Sequence, residues 1–467
     1  MISTWSLQNF KSVYKEPSLR MAPLTIFAGA NSSGKSTVIQ SILLTAQTLQ
    51  SAVVARPIVL NGHIVRLGAY DDIVSDGEKN SHIQIGFSLS PDSDNYVSLL
   101  QASSRSNYYR LSPSNTRYIR SLTCKFAFSA AGGDEDQKSL QLQPRIENCS
   151  VEITAQRQVR IPTTSGVQAT LQDQSFDIEV VRSNKNYEDR LRDLGLDMTV
   201  EEDALTEALA YEVPKCTRLP FIRRSVGATP SQKPSGALLN HFLPGRLCVS
   251  YDSVGEQIKR MVEFIVSSPV FRSVDFDADD QWLFNDKVKT LFIGAVQELL
   301  HTIRPKLSLT RCKRVDKAVA SVTQTFSPET VRHFTASLLD DHKRLFSHIM
   351  AEKSADIQKI LKSERPPLHT VAYVPLPELG EMGVSYIQAF FTQRVKYLGP
   401  LRDEPKPVYP LAGASDSRDV GFKGEYTAAV LEVHWNTFVT YIPSSEFAGG
   451  AASHRPVSVP LGALLHE

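Results

Sequence analysis

Between residues 58 and 182 apolar and polar positions alternate with a period of two. The runs are Ile83/Ile85/Phe87/Leu89, Leu122/Cys124/Phe126/Phe128, Val151/Ile153 and Phe176/Ile178/Val180. Turn signals such as Ser90-Pro91-Asp92 and Ala131-Gly132-Gly133-Asp134 separate them, which predicts an antiparallel sheet with one wet face. Gly132 to Lys138 reads as a solvated hairpin tip. Upstream, Ile2 to Phe10 alternates like an edge strand. Leu24-Thr25-Ile26-Phe27-Ala28 is instead a continuous apolar run, the pattern of a strand buried on both faces of a parallel sheet. Gly29 to Gly34 is turn-rich. From Ser36 to Ser51, Val38, Ile39, Ile42, Leu43, Ala46 and Leu49 recur at helical spacing and predict a helix packed on several sides.

Residues 183–250 are weakly periodic, and 254–363 read as helical. Trp282 to Ile303 is one predicted helix. Pro328 to Lys362 is another, with Ser327 as N-cap and Pro328 at the first helical position; unbroken, it is roughly 52 Å long. Residues 368–467 return to short elements: a strand at Thr370 to Val374, a helix near Val384 to Arg394, a strand at Val395 to Leu398, a loop from Gly399 to Lys423 and a helix from Gly424 to about Trp435. Leu461 to Glu467 looks like the beginning of a helix. The expected units are therefore 1–57, 58–182, 183–367 and 368–467.

Composition narrows the class. Of 467 residues, 42% are hydrophobic and 22% charged, and 51 Lys+Arg against 50 Asp+Glu leave a net charge of +1. This is a globular profile without a global basic field. The five cysteines are far apart with no CxxC spacing, so a disulfide framework or zinc knuckle is not supported and a reducing cytoplasm is expected. Ser36 to Ala55 lacks charge, but nine of its 20 residues are Ser, Thr or Gln. It reads as a buried helix, and no membrane association is expected.

One motif is sharp. Gly29-Ala30-Asn31-Ser32-Ser33-Gly34-Lys35-Ser36 satisfies G-x4-G-K-[ST]. In such a loop the glycines turn the backbone so that N–H groups face phosphate oxygens, and the following helix adds its positive end. Gly29, Asn31, Ser32, Ser33 and Gly34 are the expected cradle. Lys35 is the expected β/γ-phosphate contact, Ser36 the expected Mg²⁺ ligand, and Thr37 the expected contact on the α-phosphate side. The cofactors expected are ATP and Mg²⁺.

The loop with its Thr37, preceded by Asn9-Phe10-Lys11-Ser12, resembles the ATPase heads of the SMC/RecF/ABC class. Leu60-Asn61-Gly62 with Leu67-Gly68-Ala69-Tyr70-Asp71-Asp72, Tyr397-Leu398-Gly399-Pro400-Leu401-Arg402, and Asp419-Val420-Gly421-Phe422-Lys423-Gly424-Glu425 are similar to the prokaryotic AAA-family ATPases related to the overcoming-lysogenization-defect enzymes. The resemblance covers about 90 residues at one end and about 60 at the other. It implies an α/β fold: a P-loop ABC/SMC-like head with an antiparallel β arm and an inserted helical subdomain. It further implies an ATPase subunit whose nucleotide-dependent assembly regulates an effector in anti-phage defence, acting as a homo-oligomer with a nuclease or other effector partner. A RecF/SMC-like ATPase of DNA repair or organisation is the alternative.

Such heads carry a Walker B strand, a signature and a histidine switch. Ser253-Val254-Gly255-Glu256-Gln257 resembles a signature superficially, but Val274-Asp275-Phe276-Asp277-Ala278-Asp279-Asp280 lacks the apolar strand that should precede the acids. Leu338-Leu339-Asp340-Asp341 mimics Walker B inside a helical pattern. The catalytic residues are thus unknown, and the acids are expected either downstream in a longer chain or on a partner. Asp71 and Asp72 read either as a nucleotide-sensing loop or as turn aspartates. Arg402 and Lys423 read as phosphate contacts or as ordinary ion-pair residues. Arg218 to Arg224 and Lys306 to Lys317 (with Arg311, Lys313 and Arg314) form either a basic track for DNA or solvated faces. The histidines show no metal spacing, and no nuclease motif is present.

Overall fold

The alternating segments pair as their pattern requires. In the computed structural model, which describes residues 1–15, 18–31, 33–75, 82–91, 117–130, 144–163, 166–196, 203–217, 234–266, 276–399, 420–421, 423–441 and 456–464, seven strands form one sheet in the order β2-β1-β3-β4-β5-β6-β7. They are β1 (Ile2–Gln8), β2 (Ser18–Arg20), β3 (Ile83–Leu89), β4 (Arg117–Ser129), β5 (Arg145–Thr163), β6 (Gly166–Arg182) and β7 (Tyr211–Cys216). Every neighbour pair is antiparallel. The sheet joins β1 and β2 of the first expected unit to the strands of the second.

The inward residues of the period-two runs, among them Ile85, Phe87, Leu122, Phe126, Ile153 and Ile178, are fully or almost fully buried. Helix α1 (Lys35–Gln50) contributes to this core, as does a helix from far along the chain, Glu378–Ala389. The latter approaches so closely that a Cβ at Gly383 would overlap the Ile153 side chain, and any larger residue there would have to displace it.

Two short helices, α2 (Tyr187–Asp193) and α3 (Asp203–Leu209), pack on a second sheet in which β9 (Leu243–Asp252) lies between β8 (Gly236–Asn240) and β10 (His369–Pro375). Asp252 pairs with His369 across β9 and β10. The helical bundle leaves and re-enters at this end, where Ser253 N donates to Leu368 O at 2.9 Å. Its helices are α4 (Ser253–Val266), α5 (Asp286–Ile303), α6 (Leu309–Gln324), α7 (Pro328–Ser337), α8 (Asp340–Glu352) and α9 (Ser354–Glu364), around a core of their own. The helix Glu378–Ala389 is α10. A small terminal group comprises α11 (Thr427–His434), β11 (Phe438–Tyr441), β12 (Val457–Pro460) and α12 (Leu461–Leu464). The chain is thus a mixed α/β protein with a seven-stranded antiparallel sheet and a helical region. No helix among the described residues is long and apolar enough to cross a membrane.

Four expectations are corrected. The segment Ile2 to Phe10, expected as an edge strand, gives β1, which is hydrogen-bonded on both sides because Ser18–Arg20 adds a strand beyond it. Leu24 to Ala28 forms no strand: it pairs with nothing among the described residues, and Leu24 and Ile26 are both 78% exposed. Phe27 is half-buried against the main core, but an apolar run without a neighbouring strand to hydrogen-bond has no reason to become a buried strand. Val395 to Leu398 is likewise irregular, following a π-helical turn at Phe390–Arg394. The single helix over Pro328 to Lys362 is three helices. Leu338 and Leu339 adopt extended angles between α7 and α8. The break lets Phe334 and Phe346 touch each other, with centroids 5.3 Å apart, and both reach Phe292. In a straight helix these two rings would stand about 18 Å apart along the axis.

Candidate functional site

The candidate site is the loop before α1, and β1 holds that helix in place. Trp5 stacks on Phe87 with centroids 5.5 Å apart and meets Phe391 edge-on. Its Nε1 donates to Ser41 Oγ on α1 at 2.9 Å. Gln47, buried in the same helix, fastens the next turn: its Nε2 donates to Val59 O and Val65 O, and its Oε1 accepts from Ile64 N and Val65 N. The helix is therefore anchored on its sheet side by an indole and on its loop side by a carboxamide.

At the start of α1, Gly34 caps the helix in the left-handed region at φ 85°. An L side chain is strained there, and an added Cβ would stand 3.1 Å from Ser12 Oγ. The turn Asn9-Phe10-Lys11-Ser12 packs directly against it, with Asn9 and Lys11 at φ 56° and 51°. Ser12 Oγ and Thr37 Oγ1 share a hydrogen bond of 3.1 Å. Lys11 Nζ donates to Gln40 Oε1 at 2.8 Å. Burial pushes the Lys11 ammonium below the usual lysine range, and Asp72 nearby pulls it partly back.

The expected cradle residues divide. Gly29, Asn31, Ser33 and Ser36 are exposed, while Thr37 is buried with its hydroxyl on Ser12. Ser32 lies outside the described residues. Lys35 Nζ curls over its own loop, donating to Gly29 O at 2.8 Å, Ala30 O at 2.5 Å and Ser33 Oγ at 3.3 Å. The ammonium thus occupies the concave side of the loop. An anion entering there must take these carbonyls' place on the lysine, and Coulomb attraction favours the exchange.

The family-like segment that follows is a set of interlocking turns. Asn61 Oδ1 accepts from Leu67 N and Gly68 N, and Asp72 Oδ2 accepts from Ala69 N at 2.7 Å. Asp72 therefore serves as a turn aspartate, and Asp71 beside it is exposed. The Lys11 amide reaches the same turn through Ile73 O at 2.7 Å, so this segment and the Gly29 to Gly34 loop flank one small turn.

The acidic look-alikes lie elsewhere. Ser253 to Gln257 is the first turn of α4, and the Glu256 carboxyl is pushed up by burial. Asp277 and Asp280 cap a 3-10 turn, where Asp280 meets Arg260 at 3.3 Å. Asp340 and Asp341 open α8, and the Lys343 ammonium holds the Asp340 carboxyl low. None of these acids lies on a strand beside the loop. Lys423 N donates to Glu425 Oε2 at 2.8 Å in the turn before α11. Arg402, the Arg218 to Arg224 cluster and the Gly132 to Lys138 tip lie outside the described residues. Among the described residues no three His, Cys, Asp or Glu side chains gather as a metal site would require.

Sequence reasoning missed Gln47 and Gln40. The signal was present for Gln47, a polar residue in the middle of an apolar helix. Its partners, 12 and 18 residues away, are not encoded in any local period. Comparisons of the chain with family models, with curated proteins and with solved structures gave no match.

Proposed function

We propose that this chain is the ATP-binding part of a P-loop ATPase of the ABC/SMC head type. The observation that carries the reading is the G-x4-G-K-S loop leading into a well-anchored helix, with Gly34 left-handed at its cap and the Lys35 ammonium inside the loop's concavity. The residues fit a triphosphate. The motif assigns the backbone N–H groups of the Gly29 to Gly34 loop to the phosphates, with Ser33 N now donating to Ala30 O at 3.3 Å; Lys35 offers its charge and exposed Ser36 its hydroxyl to Mg²⁺. Thr37 acts from behind, holding Ser12 against the cap.

The exposed, unpaired Leu24 and Ile26 support the second part of the reading. A further polypeptide segment, in this chain or on a partner, adds a strand there and brings the carboxylates that hydrolysis needs. In this reading nucleotide binding drives homo-oligomeric assembly that regulates a nuclease or similar effector in anti-phage defence, as the family-like motifs at the two ends suggest.

Titration of the purified protein with ATP and Mg²⁺ tests the core of this. Saturable binding lost in Lys35→Ala, with an unchanged circular dichroism spectrum, is the expected result. Equal affinity in the variant overturns the assignment.

A further inference from the structure

The charge of the helical bundle is unevenly placed. From Arg304 to Lys317 the chain carries six Lys or Arg against one Asp; the rest of 253–365 carries twelve against fourteen. The surplus sits on α6 and its approach. Arg311, Lys313, Arg314 and Lys317 are all exposed. The one acid of the helix, Asp316, is already engaged by Arg304 at 3.0 Å. Lys313 and Lys317 stand four residues apart and Arg314 and Lys317 three apart, so like charges are neighbours on one face. That arrangement weakens a helix unless something anionic lies across it.

From this we infer that the exposed face of α6 is a docking surface for the phosphodiester backbone of a double-stranded nucleic acid. Arg311 to Lys317 covers about 9 Å of helix axis, and the long exposed side chains fan out from it toward neighbouring phosphates of a duplex backbone. The contact reads charge and spacing rather than sequence. A lipid surface fits less well. A helix that lies in a membrane interface needs a free apolar face, and the apolar face of α6 (Val315, Ala318 and Val322) is buried in the bundle. The inference rests on α6 alone and is independent of the nucleotide reading.

The test is fluorescence anisotropy with a labelled duplex of about 24 base pairs, in DNA and RNA forms, from about 50 to about 200 mM salt. The intact protein is compared with the triple variant Lys313→Ala/Arg314→Ala/Lys317→Ala. These side chains are exposed, and a thermal melt confirms that the variant folds. Wild-type protein is expected to bind in a salt-dependent manner. The triple variant is expected to lose affinity at least about tenfold at the lower salt, and its log–log salt slope to fall by about 3. Lys287→Ala, which removes a cation paired with Glu364, leaves both quantities unchanged. The DNA and RNA forms distinguish which duplex is preferred, and either supports the surface. Absence of binding to both, equal affinity and slope in the triple variant, or binding confined to anionic vesicles overturns it.

Discussion

Two apolar runs near the start of the chain have opposite fates. In β1, Trp5 and Leu7 are buried, and the strand is paired on both sides, by β2 and β3. In Leu24 to Ala28, the more continuously apolar of the two, Leu24 and Ile26 lie in the open beside the Gly29 to Gly34 loop, and Phe27 is half-buried against the main core. Apolar content alone ranks them the other way. The difference is the availability of strand partners: β1 is hydrogen-bonded on both sides, and among the described residues the second run has no neighbouring strand. A strand is a property of a pair.

The contrast makes quantitative expectations. Trp5→Ala removes a fully buried indole, its stack on Phe87 and its bond to Ser41. It should destabilise the protein by about 3–5 kcal/mol in a denaturant titration. Gln47→Ala leaves Val59 O, Ile64 N and Val65 N of the 59–65 turn without their partner, while Val65 O keeps its bond from Gly62 N. A loss of about 2–3 kcal/mol is expected, with the turn opening to proteolysis. Gly34→Ala forces an L residue to φ 85° beside Ser12 and should cost about 1–2 kcal/mol. Ile26→Ser, in the open run, should change the melting of the isolated chain by no more than about 0.5 kcal/mol. A large loss from Ile26→Ser would mean that this run is covered after all, and the contrast with β1 would collapse.

Local pattern made the antiparallel sheet legible, because Ile83 to Leu89, Leu122 to Phe128 and Phe176 to Val180 each bury alternate residues against one core. The turn at Gly29 to Gly34 and the helix after it were legible for the same reason: the pattern that predicts them is contiguous. Long-range information was not legible. The break at Leu338-Leu339 depends on Phe292, which lies more than thirty residues upstream. The strand expected at Leu24 to Ala28 depended on neighbours that the described residues do not provide. The helical pattern around the Leu338 to Asp341 segment was legible too: its two aspartates form the first turn of α8, where they favour the helix dipole.

The site was legible in outline and not in support. Lys35 and Gly34 are named by the motif, whereas the packing of Ser12 on Thr37 and of Lys11 on Gln40 joins segments more than twenty residues apart. These contacts explain how an exposed loop is held at a defined place on an otherwise antiparallel lobe.

Hydrogen–deuterium exchange with and without ATP and Mg²⁺ reads the proposed nucleotide site amide by amide. New protection is expected to concentrate in the amides from Ala30 to Thr37 and to be absent in Lys35→Ala. Protection appearing elsewhere with this segment unchanged, or the same protection in the lysine variant, would contradict it.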